Sequence, residues 1–172
     1  MVKVVIINGY PRSGKSTFVD MCKKSRKKIC FEISTVDYIK ALAKTLGWDG
    51  TKTPKNRKFL SDLKELLADW NDIPYQKVAK ELRIIQTRAK LYGSECEDFV
   101  VFIHCREPEE IARFKQDFDA TTVIVKRDAS VEKEQFNHAD LEVENFEYDV
   151  TIMNNGTLDE LGLAAEWFLE KL

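Results

Sequence analysis

The sequence predicts an α/β fold, three layers built around a five-stranded parallel sheet. Three observations lead to this expectation. Five short β-branched runs, "VKVVIIN", "KICFEIS", "FVVFIHC", "TTVIVKR" and "DVTIMN", lack clean polar alternation, the pattern of strands covered on both faces. Helical patterns separate these runs, and parallel neighbours joined through helices require right-handed crossovers. The third is the string "GYPRSGKST", which directly follows the first run and opens the first helical pattern.

Taken in order, "VKVVIIN" leads into "GKSTFVDMCKK", a helix whose basic end "KKSRKK" suits the negative pole of the dipole. With no interleaved aromatic residues, that cluster reads as a solvated helix end and not a nucleic-acid patch. "KICFEIS" is followed by the helical "DYIKALAKTLGW". Residues 47–56, "GWDGTKTPKN", are rich in turn formers and read as a loop. Two long helical patterns follow, "KNRKFLSDLKELLADW" and "PYQKVAKELRIIQTRAKLYG". "FVVFIHC" then precedes "PEEIARFKQDF", with acidic residues in its first turn, and "TTVIVKR" leads into residues 127–149. That stretch is polar, acidic and weakly periodic, and it is long for a plain connection; it reads as a lid-like segment. "DVTIMN" and the helical "TLDELGLAAEWFLEKL" close the chain. Trp48, Trp70 and Trp167 fall in or beside amphipathic patterns and are expected in the core or in pocket walls.

The composition, 44% apolar and 33% charged, is that of a folded chain, and 172 residues suit a single domain spanning 1–172. A formal net charge of −2 provides no broad basic field, so nucleic acid is not the expected partner. No run approaches the roughly 20 apolar residues of a membrane span, and "MVKVVIINGY" reads as a first strand, not a secretory signal. The four cysteines at 22, 30, 96 and 105 form no C-x-x-C pair, which fits reduced thiols in the cytoplasm. Nothing in the pattern specifies an oligomeric state.

"GYPRSGKST" fits G-x-x-x-x-G-K-[ST], and the strand before it and helix after it are the context that motif requires. Such a loop holds a phosphate because glycines let backbone N–H groups converge at the positive end of a helix. Gly9 permits the turn off the strand, and Gly14 lets the backbone approach a ligand. Lys15 is expected between the terminal phosphates, Ser16 on Mg²⁺, and Thr17 behind it. Phosphoryl transfer further needs cations around the transferred group. Ligands of open parallel sheets collect at the carboxyl ends of the strands. Those ends present Ser34, Thr35 and Asp37; His104 and Arg106; and Lys126 and Arg127, with Lys133 and His138 in the expected lid.

These pieces together resemble the deoxynucleoside monophosphate kinase family of phages and bacteria, within the P-loop nucleoside monophosphate kinase group. The resemblance rests on "INGYPRSGKSTFVD", on "STVDYIKALAKTLGWDGTK", on "VVFIHCREPEEI", and on "NHADLE" followed by "YDVTIMNNGTLDEL". Phosphomevalonate kinases share much of this arrangement. The resemblance implies a P-loop NTPase fold, a helical acceptor-binding region over about residues 37–92, and the cofactors ATP and Mg²⁺. Gly9, Arg12, Ser13, Gly14, Lys15, Ser16 and Thr17 would hold ATP. Asp37, Lys40 and Arg106 would meet a small-molecule nucleotide acceptor, and Arg127 would begin the lid and neutralise charge during transfer. Lys15, Arg106 and Arg127 are thus the expected catalytic residues.

One position departs from the family. His104 stands where relatives tend to have Asp, and an imidazole is a poor substitute for a carboxylate at hydrated Mg²⁺; Asp37 or Glu107 is the expected compensation. The alternatives are a kinase for another small phosphorylated or hydroxylated metabolite, and a nucleotide-binding switch with weak NTPase activity. A GTPase-type switch would usually carry N-K-x-D, and the nearest string, "IMNNGT", lacks the Lys and the Asp.

Overall fold

The computed structural model describes residues 1–92, 98–128 and 143–172. Its five strands are β1 (Val2–Asn8), β2 (Ile29–Ser34), β3 (Phe99–His104), β4 (Thr121–Lys126) and β5 (Val150–Met153). They form one sheet in the order β2-β3-β1-β4-β5, with every pairing parallel. Among the described residues the helices are α1 (Lys15–Ser25), α2 (Asp37–Thr45), α3 (Pro54–Asn71), α4 (Ile73–Tyr92), α5 (Pro108–Phe118) and α6 (Leu158–Lys171).

Alternate residues of β1 feed two cores. Val5 and Ile7 pack with Phe18 and Cys22 of α1 and with Phe168 of α6. Val4 and Ile6 pack with Tyr75 and Leu82 of α4 and with Phe114 of α5. Helices therefore cover both faces of the sheet, which is why its central strands read as unbroken apolar runs. β2 is the exception. It lies at the sheet edge, and Ile29 and Phe31 remain exposed, so the expectation of cover on both faces fails there.

Local chemistry sets the helix starts. Thr53 accepts from the Asn56 N–H, with Pro54 in the first turn of α3, and Thr157 and Glu160 close a reciprocal capping box on α6. α1 has no side-chain cap at its start. The basic stretch at and beyond the end of α1 is tied down by ion pairs: Lys23 to Glu32, Lys27 to Glu166 and Glu170, and Lys28 to Asp98. Two of the three tryptophans depart from expectation, Trp70 being 73% and Trp167 51% exposed; α3, which carries Trp70, has no fully buried residue. Among the described residues no helix is long and apolar enough to cross a membrane. Most of the expected lid, including Lys133 and His138, lies outside the described residues, as does Cys96.

Candidate functional site

The site begins where β1 runs out. The backbone leaves Asn8 through Gly9 at φ +145°, and a Cβ there would stand 2.3 Å from the Val125 carbonyl oxygen of β4. At Gly14, φ is +99° and a Cβ would lie 2.2 Å from Asn154 Nδ2, so both glycines are sterically required. Between them Arg12 sits in the left-handed region at φ +64°, uncommon for a side-chain-bearing residue. Gly14 then opens α1 with no side-chain cap, which leaves the helix start to satisfy an anion.

The loop is wired internally. Lys15 Nζ donates to the carbonyl oxygens of Gly9 and of Tyr10, the latter at 2.7 Å. Ser13 donates its N–H to the Tyr10 carbonyl at 3.2 Å, and its own carbonyl accepts from Asn154 Nδ2 at 2.8 Å. Ser13 Oγ is buried with no hydrogen-bond partner among the described residues. A cavity of about 370 Å³ lies over the loop, lined by Arg12, Lys15, Ser16, Thr17, Arg127 and Asn154, together with Gly14, Gly156 and Leu158. The glycine cradle, the uncapped helix start and three cations around one cavity fit a polyphosphate. Among the described residues no group of three or more His, Cys, Asp or Glu side chains could cage a metal. The Ser16 hydroxyl, on the cavity lining, is the group that would hold an Mg²⁺ there.

The residues expected on the acceptor, Asp37, Lys40 and Arg106, sit on the other side of β1 and do not line this cavity, whose lining also leaves out Gly9 and Ser13. Asp37 starts α2, accepts from the Ser34 N–H at 2.9 Å and lies 3.8 Å from Lys40 Nζ, so part of its work is local. Ser34 is in register with His104, and the Thr35 N–H donates to the His104 carbonyl at 3.2 Å, which aligns the ends of β2 and β3. Arg106 follows two residues past β3, its carbonyl accepting from Asn8 Nδ2 at 3.3 Å. The structure thus groups Gly14, Lys15, Ser16 and Thr17 with Arg12 and Arg127 beside β4 and β5, and sets Asp37, Lys40 and Arg106 beside β3 and β2.

His104 has a carboxylate beside it, from the neighbouring strand. Glu32 of β2 brings Oε1 to 2.7 Å from His104 Nε2 and pairs with Lys23 as well. Burial pushes the imidazole below its ordinary value; Glu32 opposes that shift and the Lys15 charge adds to it. Glu107 instead faces Lys64 of α3, at 3.7 Å, while Glu110 meets the same ammonium at 2.8 Å. Sequence reasoning also missed Asn154 and Gly156 as cavity residues. The turn-forming "NNGT" after the last strand was the available signal, because it must fall at the same end of the sheet as the loop.

No protein-family model and no curated protein matches the chain. Solved structures do resemble it. A dephospho-CoA kinase from Campylobacter jejuni superposes with a TM-score of 0.52 at 13% identity, over 99% of this chain and 97% of that one. A candidate kinase from Chloroflexus aurantiacus gives 0.51 at 13% identity, over 98% and 94%. Similarity at this level is similarity of fold: a parallel, helix-flanked α/β sheet shared with these two proteins over nearly the whole of all three chains.

Proposed function

We propose that the protein is a single-domain, ATP-dependent small-molecule kinase, and that its acceptor is a nucleoside monophosphate, in particular a deoxy one. The observation behind this reading is the placement of cations on both sides of β1. Arg12, Lys15 and Arg127 surround the cavity over the loop, while Arg106 follows the end of β3 and Lys40 lies in the first turn of α2, after β2. Bound Mg-ATP would supply the phosphoryl group and an ion to offset its charge. Lys15, which here donates to the carbonyls of Gly9 and Tyr10, would hold its phosphate oxygens, and the Ser16 hydroxyl would be the residue that holds the ion. Arg127 balances charge as the transferred group moves, and Arg106 with Lys40 holds the anionic acceptor in line.

A second reading is favoured by the contact between His104 and Glu32. A phosphate acceptor attacks through an oxygen that is already deprotonated, whereas a hydroxyl acceptor must lose a proton. An imidazole beside a carboxylate at the strand rim, though with no aligned hydrogen bond at Nε2 among the described residues, would suit a base for a hydroxylated metabolite. Both readings are tested by measuring ADP release from Mg-ATP across ribo- and deoxynucleoside monophosphates, phosphomevalonate and a panel of hydroxylated metabolites, with Lys15→Ala as blank. Strong stimulation by one or a few nucleotides supports the first reading, and stimulation confined to hydroxyl acceptors supports the second. Slow release indifferent to any acceptor defeats both in favour of a nucleotide-binding switch.

A further inference from the structure

Asn8 is the last residue of β1, 1% exposed, and each face of its amide is occupied. Oδ1 accepts the Gly9 N–H at 2.8 Å, while Nδ2 donates to the Arg106 carbonyl at 3.3 Å and to the Tyr148 hydroxyl at 2.7 Å. The Tyr148 hydroxyl in turn donates to the Val143 carbonyl at 2.9 Å. One buried side chain thus joins three stretches far apart in sequence: the first residue of the phosphate loop, the turn carrying Arg106, and the chain just before β5.

The parity of β1 explains the arrangement. Val4 and Ile6 point into the core shared with α4 and α5, so Asn8 extends that row at the sheet end. An apolar residue would fill the place at less desolvation cost, yet here a polar one is buried and fully bonded. Tyr148 is itself anchored, its ring edge-on to Phe146 with centroids 5.2 Å apart, and both rings pack against the same core. The hydroxyl therefore presents a fixed acceptor to Asn8, not a mobile one.

We propose that Asn8 and Tyr148 are positioning residues: they hold the Arg106 turn in register with the phosphate loop and thereby set how the acceptor is presented to the donor. The kinetic side of this inference rests on the reading of Arg106 as an acceptor contact. The mechanical side does not. Removing the Tyr148 hydroxyl leaves Asn8 Nδ2 with an unmet hydrogen and frees the amide to rotate, which loosens its hold on the Arg106 carbonyl.

Tyr148→Phe tests this while keeping the ring in its packing; Asn8→Ala, which opens a buried gap, serves as the harsher companion. In Tyr148→Phe the acceptor KM should rise roughly fivefold, the effect of one buried hydrogen bond, with the ATP KM held within about twofold. In an Arg106→Ala background the same change should add nothing to the acceptor KM. Amide hydrogen exchange should quicken at residues 105–108 and 143–149 together, by about tenfold, with the rest of the sheet unaltered. An unchanged acceptor KM, a parallel rise in both KM values, or additivity with Arg106→Ala overturns the proposal. If no acceptor supports turnover even in the unmodified protein, the kinase reading fails on its own, and exchange decides: unaltered protection at 105–108 in Tyr148→Phe refutes the coupling.

Discussion

Asn154 Nδ2 donates to the Ser13 carbonyl over 2.8 Å, so the residue that follows edge strand β5 clasps the middle of the loop from Gly9 to Thr17. Its backbone is fixed as well, through a 2.7 Å hydrogen bond from its N–H to the Lys126 carbonyl at the end of β4. The loop is thus buttressed from the side of the sheet opposite to Arg106.

Gly14→Ala should break this clasp. The new Cβ would meet Asn154 Nδ2 at 2.2 Å and would sit on a backbone with φ +99°. Nucleotide affinity measured by calorimetry should fall at least about tenfold, because the misplaced groups are those that face the phosphates. Affinity unchanged within error would mean that the loop adapts and that the clasp is incidental.

Lys15→Ala removes the cation nearest the expected phosphates. Acceptor-stimulated transfer should drop by roughly 10²- to 10³-fold or more, as when an electrostatic stabiliser is deleted. The far-ultraviolet circular dichroism spectrum should match that of the unmodified protein. Residual transfer close to the starting rate would remove Lys15 from the mechanism.

Arg106→Ala should act chiefly on the acceptor. The kcat/KM for the acceptor is expected to fall roughly 10²-fold, with the KM for ATP near its starting value. Unchanged acceptor kinetics would defeat its assignment.

His104 gives a pH dependence with a definite sign. Burial holds its folded pKa below the ordinary value of 6.5, so on acidification the unfolded chain takes up the proton first. The stabilising contribution is complete above that ordinary value and is lost as pH falls through the lower folded one. Thermal midpoints at about pH 7.5 and pH 5 should therefore separate more in the unmodified protein than in His104→Gln. Glu32→Gln removes the charge that opposes the shift, and the His104 titration followed by NMR should move lower still. Equal pH sensitivity in His104→Gln would show that other groups govern this window.

Lys64 is the sheltered cation between Glu107 and Glu110, 15% exposed. Lys64→Met leaves two half-buried carboxylates facing each other and should cost about 1–2 kcal/mol, between the surface and buried limits for ion pairs. For a chain of this size that corresponds to a midpoint lower by about 3–6 °C. Adding Glu110→Gln should recover part of it; no recovery would mean that the loss comes from packing of the lysine stem.

Sequence and structure agree closely where local chemistry is strong. "VKVVIIN" is β1 and "PEEIARFKQDF" is α5, residue for residue, because glycine on one side and proline on the other punctuate them. α2 stops at Thr45, short of Trp48, because Gly47 takes φ +94° and turns the chain. β2 misled because an apolar run does not reveal whether a strand is central or at an edge. Asn8, Asn154 and Tyr148 escaped notice for a different reason. Their bonds to Tyr148, Ser13 and Asn8 span 140 or 141 positions, and no local pattern encodes a partner at that distance. Glu32 likewise acquires meaning only once register sets β2 beside β3.

The self-bonded state of Lys15 has a consequence for selectivity. Its ammonium already rests on the Gly9 and Tyr10 carbonyls, so any visiting anion competes with an incumbent rather than entering a vacant field. A lone inorganic phosphate, with few other contacts to offer, gains little by dislodging it. A polyphosphate that simultaneously engages Arg12, Arg127 and the start of α1 can offset that loss. On the proposed reading the loop would act as a threshold, turning a difference in ligand length into a difference in occupancy.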